Sequence, residues 1–171
     1  MIEPEGRYFV GIDPSLVGTG IIMIDKDGKI VEQKLISTKP DTVIERRLLD
    51  IILGLSFIKK VPRLEKVYME DLAYFSKSSR LFELAGLHFM IRTDFFVSNI
   101  QMKIIPPKTL KKFVTNTGNA KKNLMLLQCF KRWGESFDDD NICDAYCLAR
   151  LALEEYKDES EQQVRSDGAQ G

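Results

Sequence analysis

Apolar and polar positions alternate in blocks that mark out the elements. Tyr8 to Asp13 runs apolar until it ends on a single carboxylate. A turn rich in small residues follows, and a second apolar run, Ile21 to Asp25, returns. Lys26-Asp-Gly-Lys29 reads as a tight turn into a third strand, Ile30 to Thr38. Two tight connections in a row predict three antiparallel strands. Pro40-Asp41 opens a helix predicted to run to about Lys60, with Ile44, Leu48, Ile51, Ile52 and Leu55 on one side and Pro62 beyond its end. Lys66 to Asp71 is a fourth strand. After a polar loop, Ser76 to Ser79, a helix to about Ser98 is apolar on nearly its whole circumference, which predicts burial on more than one side, by the monomer core or by a second copy. Gln101 to Ile105 is a fifth strand, and Pro106-Pro107 begins a short helix to about Val114. A turn, Thr115 to Asn119, leads to helices over Ala120–Trp133 and Asp139–Tyr156. Residues 1–156 are expected to form one domain, and the polar stretch 157–171 a disordered tail.

This order fits an α/β, ribonuclease-H-like architecture: a five-stranded mixed sheet, three antiparallel strands then two parallel, flanked by helices. In such a sheet the first strand is central and the fourth lies beside it. Asp13 and Glu70 then become neighbours, and the last helix carries Asp144 towards them.

A buried strand ending in one acid is costly unless the acid has a cation or donor partner. Ser15, Gly18, Thr19 and Gly20 leave room for a phosphate near the backbone. Hard divalent cations want several oxygen ligands, and Asp13, Glu70 and Asp144 meet that need if the sheet is as drawn. Asp140 and Asn141 precede Asp144 by about one turn, so either is a candidate fourth ligand, whereas Asp138 and Asp139 suit the helix N-terminus. Each acid also has a bland use: Asp13 capping a turn, Glu70 solvated at a strand end, Asp144 complementing a helix N-terminus.

Charge sharpens the picture only locally. The formal net charge is zero, yet Gln101 to Lys122 holds six lysines and no acid, and an acid-rich stretch from Glu154 onward offsets them. A basic face of this kind suits nucleic acid. Three cysteines and a polar start argue for reduced thiols in the cytoplasm, of a bacterium or of a virus-infected host. Cys143 and Cys147 share a helix face and are expected to pack rather than to bind zinc, as are His88 and Trp133. No apolar run approaches the ~20 residues of a membrane span.

Four segments in order resemble the RuvC family of Holliday-junction resolvases. Gly11-Ile-Asp-Pro-Ser15 with Thr19-Gly20 is similar to its first motif, and Tyr68-Met-Glu70 to the strand bearing its second acid. Ile105-Pro-Pro-Lys-Thr-Leu-Lys111-Lys with Thr117-Gly-Asn-Ala-Lys-Lys122 resembles its lysine-bearing segment. Cys143-Asp-Ala-Tyr-Cys-Leu-Ala149 resembles its closing helix, and Ala85-Gly86 also fits. The resemblance implies a homodimeric endonuclease that nicks opposed strands of a four-way DNA junction, using two Mg2+ ions for which Mn2+ can substitute. It carries the metal-binding acids to Asp13, Glu70 and Asp144, and the phosphate-contacting bases to Lys111 and Lys122. Lys108, Lys112 and Lys121 become general phosphate contacts. The position three before the last acid is often Asp or His in the family and is Asn141 here, so Asp140 can stand in. The family's aromatic after the second acid falls at Ala73, leaving Tyr74 or Phe75 to stack at the branch point. A branch-migration motor as partner stays open. So do a different ribonuclease-H-like nuclease, cutting flaps or hybrids, and a non-catalytic junction-binding dimer. A sugar-kinase or actin-type ATPase would need a second half.

Overall fold

Tyr8–Asp13 (β1), Gly18–Asp25 (β2) and Ile30–Ser37 (β3) form an antiparallel meander, and Leu64–Glu70 (β4) and Met102–Ile105 (β5) add parallel strands on the far side of β1. The sheet order is β3-β2-β1-β4-β5, the mixed sheet expected from the element order. The computed structural model describes residues 2, 3, 5–72 and 80–168.

One face of the sheet carries α1 (Ile44–Leu55) and α2 (Leu81–Val97); the other carries α3 (Pro107–Thr115), α4 (Lys122–Trp133) and α5 (Asp140–Gly168). Side chains of a strand alternate between faces. Tyr8, Val10 and Ile12 therefore join Ile51, Leu55, Leu87 and Ile91, while Phe9 joins the core beneath α5. β1 is buried at every position because it is central and covered on both faces, which explains its unbroken apolar run. Burying one such side chain, Phe9 for example, contributes about 2–3 kcal/mol. The same alternation puts Gly11, Asp13, Tyr68 and Glu70 on the α5 side.

Three boundaries differ from expectation. The first helix starts at Ile44, three residues after Asp41, because a Lys39–Thr42 turn comes first. Its last stretch, Ser56–Lys60, tightens into a 3₁₀ helix. The stretch after Tyr156 is not a structureless tail: α5 continues through Gly168. Nothing between Tyr156 and Gly168 breaks a helix, and side-chain tethers reach back to the sheet. Lys66 pairs with Glu159 at 2.7 Å, Lys103 pairs with Glu155, and the Tyr68 hydroxyl donates to Glu155.

α2 buries Leu87, His88, Ile91 and Phe95 but leaves Phe82 90% and Phe96 80% exposed, so the monomer covers only one side of it. Burial holds the His88 imidazole down at about 4, in keeping with a neutral packing residue. Among the described residues no helix is long and apolar enough to cross a membrane.

Candidate active site

Asp13 closes β1, Glu70 closes β4, and the two strands run parallel with Ile12 opposite Met69, so both carboxylates leave the same sheet edge on the same face. α5 crosses that face. Asp139 caps it, its Oδ1 accepting from the amides of Asn141 (2.9 Å) and Ile142 (3.1 Å), as the sequence pattern anticipates. The capped first turns deliver Asp144. One oxygen from each of Asp13, Glu70 and Asp144 lies within 4.8 Å of the others.

That convergence has an electrostatic cost. Burial, followed by the charges of Glu70 and Asp144, raises Asp13 well above the usual carboxylate range. Asp13 and Glu70 share a hydrogen bond that favours the proton on Asp13. Burial also raises Glu70, and burial with the Glu70 charge pushes Asp144 up to about 7. Lys111 opposes both rises. The donor set is all carboxylate oxygen, and its excess of negative charge in a buried place fits a hard divalent cation. Asp13, Glu70 and Asp144 are the residues able to hold one.

A cleft of about 180 Å3 opens beside the cluster, lined by Glu70, Lys111, Lys122, Asp140, Cys143 and Asp144. Lys122 Nζ donates to Asp140 Oδ2 at 2.6 Å, and that bond holds the ammonium above its ordinary value.

No protein-family model matches the chain. Among curated proteins it is 30% identical over 144 residues to the crossover junction endodeoxyribonuclease RuvC of Fusobacterium nucleatum, covering 81% of this chain and 76% of the relative. The chain belongs to the RuvC family. The RuvC of Brachyspira hyodysenteriae is 26% identical over 143 residues, covering 82% and 89% of the two chains. A solved structure of Thermus thermophilus RuvC in complex with Holliday junction substrate shares the fold, with a TM-score of 0.71 at 19% identity over 84% of this chain and 90% of that one.

Within this RuvC-type domain, the three acids expected to converge do so. Asp140 is engaged by Lys122 and stands outside the group of three oxygens. Asn141 lies on the β2 side of α5, its Nδ2 close to Gly18, and its backbone carbonyl faces Gly20. Two of the small residues in the turn have partners within the protein. Gly20 admits α5, and the buried Thr19 hydroxyl donates to the Ser15 carbonyl at 2.8 Å. Lys111 is half-buried in the cleft, and Lys108, Lys112 and Lys121 are exposed on α3 and just before α4. Tyr74 and Phe75 lie outside the described residues. Sequence reasoning missed Arg47, buried on α1, whose guanidinium donates to the Leu16 carbonyl at 2.6 Å and to Thr38 Oγ1 at 2.9 Å. It pins the turn that follows Asp13. The available signal was the placing of Arg47 in register with Ile44 and Ile51 on an otherwise apolar helix face.

The raised Asp144 carboxyl has a measurable consequence. Between pH of about 4 and 7 the metal-free native state keeps a proton that the unfolded chain releases, so stability falls as pH rises through that window. Asp144→Asn removes the ionisation. In chelator at pH 8 the variant is expected to be more stable than wild type by about 1–3 kcal/mol, with the gap closing near pH 4. Urea denaturation at the two pH values checks this; equal stability at pH 8 would contradict it.

Proposed function

We propose that the protein is a Holliday-junction resolvase, a homodimeric Mg2+-dependent endonuclease that nicks two opposed strands of a four-way DNA junction at symmetric positions. The observation that carries this reading is the meeting of Asp13, Glu70 and Asp144 oxygens within 4.8 Å, beside a cleft lined by Lys111 and Lys122. The named activity of the curated relatives and the junction-bound Thermus structure support the choice of substrate. The bacterial relatives support a site of action in the bacterial cytoplasm.

Asp13, Glu70 and Asp144 would hold Mg2+, with Mn2+ acceptable to the same oxygen donors. The chemistry that ions held there would supply is Lewis acidity, towards an attacking water and a departing 3′-oxygen, consistent with 5′-phosphate and 3′-hydroxyl ends. Asp13 and Glu70 sit at the ends of adjacent strands, so their separation is held by the sheet. Lys111 and Lys122 would contact the scissile phosphate. Asp140 orients Lys122, and Asn141 lies where the first turn of α5 meets β2. Exposed Lys108, Lys112 and Lys121 would follow the phosphates of the DNA arms. Tyr74 or Phe75, four and five residues after the β4 carboxylate in sequence, would stack on a base at the crossover.

Two symmetric cuts need two copies of one site, and an isologous dimer supplies them. The exposed face of α2, with Phe82, Phe89 and Phe96, is the surface offered for that contact. Phe89→Glu combined with Phe96→Glu is expected to give a monomer by sedimentation and to lower paired nicking by at least about tenfold, a loss of ~1.4 kcal/mol or more. A dimer that still nicks in pairs would remove α2 from the interface.

Incubation with Mg2+ and a matched set of a four-way junction, a flap and an RNA–DNA hybrid tests the assignment. Paired nicks on the junction, in preference to the others, are the expected result. Cleavage of flaps or hybrids alone would replace the reading by another nuclease. Junction binding without cutting would make the protein a structural one.

A further inference from the structure

Behind the carboxylates, α4 and α5 bring three thiols together. Cys129 Sγ lies 3.2 Å from Cys147 Sγ and 3.5 Å from Cys143 Sγ, and all three sulfurs are within 4.8 Å of one another. All three are free and buried. Helical spacing joins Cys143 to Cys147, one turn apart on α5; the third sulfur comes from a different helix. A core cysteine that merely fills space behaves as a small hydrophobe, with no need for its sulfur to meet two others.

We propose that Cys129, Cys143 and Cys147 form a binding site for a thiophilic d10 cation, Zn2+ in the cell, separate from the carboxylate site. Metal–sulfur bonds of about 2.3 Å place ligating sulfurs about 3.8–4.0 Å apart, so the observed cluster needs only a small outward movement of each sulfur. Donor hardness keeps the two sites apart: thiolates select Zn2+, Cd2+ or Cu+, whereas Asp13, Glu70 and Asp144 offer only oxygen. On binding, metal–sulfur bonds replace sulfur–hydrogen bonds, and the protons pass to the buffer. Cys143 also lines the cleft beside Glu70 and Asp144, the side from which a cation would enter. The bound cation ties α4, whose first residue is Lys122, to α5, which carries Asp144. It therefore fixes the lysine relative to the carboxylates.

Cd2+ is the probe, added to the reduced full-length protein in excess Mg2+ and read by thiolate-to-metal charge-transfer absorption. The expected result is a band that saturates at one equivalent per chain. It persists in Asp13→Asn, and Cys129→Ala and Cys147→Ala each weaken Cd2+ binding at least about tenfold. Zn2+ should also raise the unfolding temperature of wild type more than that of either variant. Circular dichroism checks folding, and Cys143→Ala replaces any variant that fails it. Absence of the band in wild type, unchanged affinity in the cysteine variants, or isolation of the reduced-buffer protein with a disulfide among these residues would overturn the proposal. Junction cleavage does not enter the measurement, so its outcome is independent of the nuclease assignment.

Discussion

Asp13→Asn is expected to lower Mg2+-dependent cleavage of a four-way junction by more than about 10³-fold, equivalent to ~4 kcal/mol of transition-state stabilisation, while junction binding persists. Asp13 is the most buried of the three acids and the one whose ionisation burial opposes most strongly. A bound divalent cation is what would keep it charged, and an amide in its place offers one neutral oxygen in place of an anion. The exposed lysines that would follow the DNA arms, Lys108, Lys112 and Lys121, lie on α3 and just before α4 and belong to other elements than β1, so their phosphate contacts survive the change. Gel-shift binding and strand-cleavage assays on one preparation separate the two effects. Near wild-type cutting by the variant would remove Asp13 from the mechanism.

Gly11→Ala is expected to destabilise the fold by about 2–4 kcal/mol. A β-carbon at Gly11 would overlap the Ala145 carbonyl oxygen and stand 2.7 Å from the Ala149 nitrogen and 2.8 Å from the Leu148 β-carbon. Two of those neighbours are backbone, so the helix must move as a body. Asp144 lies between the contacting residues and Asn141, and it would move with the helix. A displacement of roughly 1 Å at a reacting centre costs on the order of 10²-fold in rate. Chemical denaturation and junction cleavage should therefore both fall in this variant. Wild-type stability would show that α5 sits further from β1 than described.

Gly11 illustrates what the sequence does and does not carry. The order of elements placed Asp13 and Glu70 at neighbouring strand ends, since the fourth strand of such a sheet lies beside the first, and the face they share follows from side-chain direction, a local property of a strand. The closeness of α5 was hidden, because a glycine in a strand has the same appearance whether it admits a helix, a phosphate or a bulge. Asp139 was legible as a cap for the same local reason. The Lys122–Asp140 pair spans α4 and α5, so helical spacing alone could not reveal that Asp140 has a lysine partner. The continuation of α5 past Tyr156 was likewise out of reach. Polar composition describes a solvated helix as well as a coil, and the Lys66–Glu159 tether that favours the helix joins residues distant in the chain. Cys129 meets Cys143 and Cys147 only once two helices pack.

Three converging carboxylates would make each protomer one half of a paired, divalent-cation-dependent cutter of branched DNA. A supercoiled plasmid that extrudes a cruciform tests it most directly, because two nicks made within one binding event yield linear DNA and single nicks yield open circles. Linear product is expected with Mg2+, none in chelator and none from Asp144→Asn. Open circles alone, or equal linearisation in chelator, would contradict it.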